Sequence, residues 1–85
     1  MEKKSPLVED YFEIKALYPD ALLLFGIAES YQVFGKDALA ASNALGTALI
    51  SREGMLLTGF PAKDLGANVN RLTALGYNVA VCDQK

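Results

Sequence analysis

The feature that most constrains this chain is the run Ala21-Leu22-Leu23-Leu24-Phe25, carried on by Gly26 and Ile27 and preceded by Pro19-Asp20. With no polar position to turn toward water, it reads as a strand covered on both faces, central in its sheet. It falls far short of the about 20 apolar residues needed to cross a bilayer, so no membrane partner is implied. A chain built around such a strand must supply apolar layers to cover it, and the flanking segments have the periodicities to do so.

Ahead of the run, Ser5 is a natural N-cap and Pro6 fits the first helical position, where a missing N–H is harmless. Leu7, Tyr11, Ile14 and Tyr18 recur at helical spacing, with Glu9, Asp10, Glu13 and Lys15 over the remaining surface. Pro19 pushes Tyr18 out of helical geometry. After the run, Ser30 to Phe34 alternates, with Tyr31 and Val33 on one face and Ser30, Gln32 and Phe34 on the other, as in a hairpin-paired strand. The Ala-rich segment Lys36 to Leu45 predicts a second helix stopped by Gly46. Thr47 to Ser51 and Met55 to Phe60 predict an antiparallel hairpin around a loop of about three residues, Arg52-Glu53-Gly54. Asp64 is a candidate cap for a third helix with a Leu65, Val69, Leu72, Leu75 stripe and Gly76 as its stop, and Gly66 weakens it by about 0.5 to 1 kcal/mol against alanine. Tyr77 to Cys82 closes the chain as a strand. The expected fold is α/β (α+β), a mixed parallel/antiparallel sheet of about five to six strands packed with about three helices.

Composition sets limits on function. Eighty-five residues, 52% of them apolar, suit one domain over residues 1–85. A chain of this size buries only roughly 60 to 65% of its unfolded surface and has little room for a large internal cavity. Eight Lys plus Arg against ten Asp plus Glu provide no global attraction to phosphate, so nucleic-acid binding would depend on a local patch. The single cysteine, Cys82, permits no internal disulfide and suits a reducing, cytoplasmic setting. With no histidine to activate it, Cys82 reads as an inert core thiol. The N-terminus shows no apolar signal region followed by a cleavage site.

Three stretches in order carry a family resemblance. Leu7 to Phe12, with Lys15 and Tyr18-Pro19, leads into Ala21 to Phe25. Ser30-Tyr31-Gln32-Val33-Phe34 is followed by Asp37-Ala38, Ala41, Leu45, Leu49 and Ser51-Arg52. Gly59-Phe60-Pro61, Leu72 and Gly76-Tyr77 precede Val79-Ala80-Val81-Cys82-Asp83-Gln84, the most distinctive of the three. Together they resemble the N-terminal mismatch-recognition domain of the bacterial MutS repair proteins. The resemblance implies a module of a larger DNA-processing protein.

The family's probe is a Phe-x-Glu motif, an aromatic ring wedged into the minor groove at a mispair with a carboxylate two residues on. Such insertion unstacks the duplex at a cost of a few kcal/mol per step, least where the pair is already defective. The corresponding positions here are Ser30 and Gln32, so the ring is gone and the acid has become an amide. Base-to-aromatic stacking is worth about 1 to 3 kcal/mol, and serine supplies none of it. Gln32 retains hydrogen-bonding capacity toward a base edge or phosphate, although an exposed strand glutamine is commonly just solvated. Gly26 replaces a position that is commonly basic in the family, and Lys63 one that is commonly histidine.

Arg52 and Lys63, both in predicted loops, are the phosphate-contact candidates beside Ser30 and Gln32, Lys63 next to a helix start whose free N–H groups attract anions. Lys36 is a third cation, and solvated charge is the plain alternative for all three. Two or three such charges would give weak, salt-sensitive binding. Tyr31 and Phe34 are close enough to the motif to stack on a base, but strand aromatics ordinarily pack in cores.

Catalysis lacks support. Glu13-Ile14-Lys15 has the Glu-x-Lys spacing of metal-dependent nucleases but falls on a predicted helix ahead of Asp20, whereas that site needs its acid first and the motif on a later strand. The glycines fit neither a phosphate loop nor a dinucleotide fingerprint. No catalytic residue, metal or cofactor is expected. Two function classes stand: a DNA-associated module with weak backbone contacts and no mismatch readout, or a non-catalytic interaction domain docking on other domains of its own chain or on a partner, by way of the acidic first helix or the Ala-rich second.

Overall fold

The computed structural model describes residues 6–83, with side chains from Val8 onward. The apolar run forms β1 (Ala21–Ile27), with Leu22 to Phe25 at most 4% exposed. Period-two geometry sends Leu22 and Leu24 to one face and Leu23 and Phe25 to the other, so one strand feeds two separate cores.

The first core lies under α1 (Pro6–Leu17), where Tyr11 packs on Leu23, Phe25 and Phe34. The rings of Tyr11, Phe12, Phe25 and Phe34 meet edge to face, with centroids 5.0 to 5.8 Å apart, a favoured arrangement for aromatic quadrupoles. The second lies under α2 (Lys36–Leu45) and, after the fourth strand, α3 (Leu65–Ala74), where Ala38, Ala41 and Leu72 meet Leu22, Leu24, Tyr31, Val33 and Phe60. Alanine at 38 and 41 lets α2 sit close to the sheet. Arg71 Nε donates to Ala44 O at 2.6 Å, tying α3 to the carbonyl end of α2.

Five strands make one mixed sheet. In addition to β1 they are β2 (Ser30–Phe34), β3 (Ile50–Arg52), β4 (Met55–Pro61) and β5 (Asn78–Asp83), in the order β3-β4-β2-β1-β5. The β1–β5 pair is parallel and the others antiparallel. Among the described residues the class and the three helices agree with the sequence expectation, and the strand count is five. Although β1 is interior, the middle strand is β2. Gly46, at φ +73°, ends α2 by donating its N–H to Ser42 O, the left-handed stop its position predicts.

Several local expectations are corrected. The strand expected from Thr47 is only Ile50–Arg52, because two hydroxyls compete with the ladder: Thr47 Oγ1 lies 2.6 Å from Thr58 Oγ1, which donates to Ala48 O at 2.7 Å. The hairpin loop is two residues, Glu53 and Gly54, both at positive φ, as a tight right-twisting hairpin requires. A 3-10 turn, Ala62–Asp64, precedes α3, and Asp64 makes no side-chain cap. Leu75 is 57% exposed, since α3 stops at Ala74 and the chain turns at Gly76 before the stripe is completed. The closing strand begins at Asn78, not Tyr77. Tyr18 is exposed beyond the end of α1, and Cys82 is half-buried against the first core. The proposed Ser5 cap lies outside the described residues, as does the side chain of Leu7.

Lys15 departs furthest from expectation. Instead of solvating on α1, it reaches past the end of the sheet, donating to Pro19 O at 3.2 Å and to Ala21 O, and lies 2.8 Å from Asp37 Oδ2 on α2. It clips the two helical layers together across the start of β1, which removes it from any Glu-x-Lys chemistry.

Candidate nucleic-acid interface

The β1–β2 connection is two residues, Ala28 and Glu29, closed by pairing of Ile27 with Ser30. Ala28 has φ +57°, a conformation alanine holds at a cost of about 1 kcal/mol or more. The turn is braced from both sides. Ser30 Oγ donates to Ile27 O at 3.1 Å, and the Ala62 N–H donates to Glu29 O at 2.8 Å. Pro61 pairs with Ser30, so the 3-10 turn bearing Lys63 is held beside the hairpin tip.

Gln32 follows on the α1 side of the sheet, between Phe25 on β1 and Gly59 on β4. It is half-buried, and its amide makes no hydrogen bond within the described structure. Gly59 makes this geometry possible: a Cβ there would come 2.9 Å from Tyr31 O and 3.3 Å from Gln32 Cγ. Tyr31 and Phe34, the stacking alternatives, are 9% and 6% exposed and belong to the two cores.

Ser30 and the turn bearing Lys63 therefore share one end of the sheet, with Gln32 two residues in, at the middle of β2. Arg52 does not join them. It sits at the far end of the β3–β4 hairpin, six residues back along β4 from the Ser30 partner, about 20 Å away at about 3.3 Å per residue. Lys36, which follows β2 at the start of α2, is also at that far end.

Carboxylates also lie at the Ser30 end. Glu29 is in the turn, Asp64 lies 3.6 Å from Lys63, and Asp83 accepts a 2.5 Å hydrogen bond from Tyr31 Oη. That bond holds the Tyr31 phenol above its usual range. Gly26 is confined by the same pair, since a Cβ would stand 2.9 Å from Asp83 Oδ1 and 3.0 Å from the Tyr31 ring. A larger residue at 26 would have to displace the contact. Among the described residues this end thus carries three carboxylates, one of them 3.6 Å from the Lys63 ammonium, a poor surface for phosphate. Only the strand order brings Asp83 beside the β1–β2 turn, so a linear reading could not have seen it.

The fold and this braced polar end define a class: a small α+β domain whose middle strand delivers a short hairpin to the rim of a mixed sheet. The family described as MutS domain I matches residues 5–85. Relatives bearing the name DNA mismatch repair protein MutS include those of Flavobacterium johnsoniae, 41% identical over 87 residues and 96% of this chain, and Methanothrix thermoacetophila, 42% identical over 90 residues and 99% of it. A third, from Thermotoga neapolitana, is 38% identical over 82 residues and 96% of the chain. The chain belongs to the MutS domain I family, and it spans about 10% of the length of these relatives. Among the described residues, no helix is long and apolar enough to cross a membrane.

Proposed function

We infer that this domain is a non-catalytic module of a mismatch-repair-type protein that has kept the MutS domain I shape and given up mismatch readout. The observation that carries the reading is the β1–β2 rim. The turn is braced and exposed as a probe would need, but Ser30 spends its hydroxyl on Ile27 O and offers no ring, and Gln32 offers an amide in place of a carboxylate. DNA contact through this end is limited to Lys63 and the Gln32 amide. Glu29, Asp64 and Asp83 oppose it. Arg52 and Lys36, at the other end, would have to engage DNA separately.

The test is a fluorescence anisotropy titration with perfect duplex, a single-mismatch duplex and single-stranded DNA at low salt. Weak binding, equal for the two duplexes, with a log–log salt slope of about −1 to −2 for one or two phosphates neutralised, is expected. A preference for the mispaired duplex would overturn the reading. No binding to any of the three at high micromolar protein would favour the second reading, an interaction domain. Exposed Leu17, Tyr18, Leu75 and Tyr77 support that alternative.

A further inference from the structure

Tyr31 reaches across a neighbouring strand to find its partner. It sits on β2 opposite Gly26 of β1, and Gly26 in turn sits opposite Asp83 of β5. The phenol passes over Gly26 and donates to Asp83 Oδ1 at 2.5 Å, so one side chain links three strands. The crossing depends on the missing side chain at 26, where a Cβ would stand 2.9 Å from Asp83 Oδ1 and 3.0 Å from Tyr31 Cε1. On its other flank the Tyr31 ring stacks on Phe60 of β4, with centroids 6.0 Å and planes 29° apart. Phe60 stands two residues before Ala62, whose N–H holds Glu29 O, and Tyr31 directly follows Ser30, which closes the turn. Contacts through Asp83, Tyr31 and Phe60 therefore run from the end of β5 to both braces of the Ala28–Glu29 turn. Ala28, at φ +57°, needs them, since a strained residue keeps its conformation only where its surroundings enforce it.

We propose that the Tyr31–Asp83 bond is a latch on the rim: closed, as here, it holds the turn in its braced form, and opened, it lets the turn loosen while the sheet stays paired. Asp83 is then a positioning residue, acting on the turn through Tyr31 without touching it. A hydrogen bond to a carboxylate is roughly twice as strong as a neutral one, so the phenol anchors the ring more firmly than stacking alone. Asp83 is exposed, and the bond can break while the ring remains packed in its core. The latch gives the rim a handle at the end of β5, because turning the Asp83 carboxylate away frees the turn.

The test reads amide hydrogen exchange by NMR on the whole chain. The Ala62 N–H reports the turn, and the Gly35 N–H, bonded to Leu56 O at the opposite end of β2, is the reference. Tyr31→Phe keeps the ring and removes only the hydroxyl. It should speed exchange at Ala62 roughly three- to tenfold, as expected for a partly exposed hydrogen bond to a charged group, and leave Gly35 unchanged. Asp83→Ala should do the same, whereas Asp83→Asn, which keeps an acceptor oxygen, should retain most of the protection. Asp83→Ala added to Tyr31→Phe should cost nothing further. The proposal is overturned if Ala62 keeps its parent exchange rate in Tyr31→Phe, or if Gly35 accelerates as much as Ala62. It is also overturned if Asp83→Asn behaves as Asp83→Ala, or if the effects of Tyr31→Phe and Asp83→Ala add.

Discussion

At the end of the sheet where β2 finishes, Lys15 joins α1, the start of β1 and α2 through three oxygen partners, and the Tyr11 ring is fully buried nearby. At the end where β2 begins, the turn has a left-handed alanine and leads into a serine whose hydroxyl bonds only within its own hairpin, and two residues along the strand Gln32 has an amide with no partner among the described residues. Both ends belong to the same three central strands, yet the side chains at the first bridge separate layers of the fold, whereas those of Ser30 and Gln32 at the second make no bond beyond their own hairpin among the described residues. Specialised chemistry at the second end can therefore be lost while the architecture stays. This explains how a chain at about 40% identity to MutS relatives keeps the whole sheet with Ser30 and Gln32 at its rim.

Substitutions at the two ends should separate these roles. The largest effect is expected from Lys15→Ala, which removes the clip and leaves the Asp37 carboxylate, 20% exposed, without its cation. A loss of about 2 to 3 kcal/mol in urea unfolding is expected, somewhat below that for a fully buried pair. A change under about 0.5 kcal/mol would mean the first end is no more constrained than the second.

Gly59→Ala sharpens the contrast from the other side, because it tests a feature of the rim that does belong to the fold. Its Cβ would meet the Tyr31 carbonyl at 2.9 Å, and backbone cannot swing away as a side-chain tip can. A destabilisation of about 1 to 3 kcal/mol is expected, with chemical-shift changes centred on Gln32.

The Tyr11 phenol, pushed up to about 12 mainly by burial and further by Asp37, predicts a pH effect at the fixed end. Its folded pKa lies above the unfolded value of about 10, so its contribution is intact below pH 10 and is lost as pH rises toward about 12. Tyr11→Phe should flatten that part of the stability–pH curve. The hydrogen bond it removes, to Leu23 O, is a long 3.4 Å.

The smallest effect is expected at the tip. Ala28→Gly relieves a φ of +57° but adds unfolded-state freedom, leaving a net gain of about 0.5 kcal/mol or less by thermal melt.

How much of this was legible in the sequence follows from the range of the interactions. The two-sided burial of β1, the alternation of β2, the Gly46 stop and the helix positions depend on near neighbours and were readable. Boundaries shifted where a side chain intruded from afar, as Thr58 does on Thr47–Ala48, or where a turn cut a pattern short, as at Leu75. For the candidate site, Ser30 and Gln32 share one strand, and Lys63 is carried to the Ser30 end by pairing of Pro61 with Ser30. Arg52 looked equivalent to Lys63 along the chain, and only the strand order sends it to the opposite end. The Lys15–Asp37 clip and the Tyr31–Asp83 bond span 22 and 52 positions and leave no periodic trace.

The most direct test of a rim that keeps its shape without its probe is the affinity ratio for mispaired against perfect duplex in the double variant Ser30→Phe, Gln32→Glu. Restored stacking of about 1 to 3 kcal/mol predicts a ratio of roughly five or more, against a ratio near one for the parent chain. Equal affinity of the folded double variant for both duplexes would contradict the account.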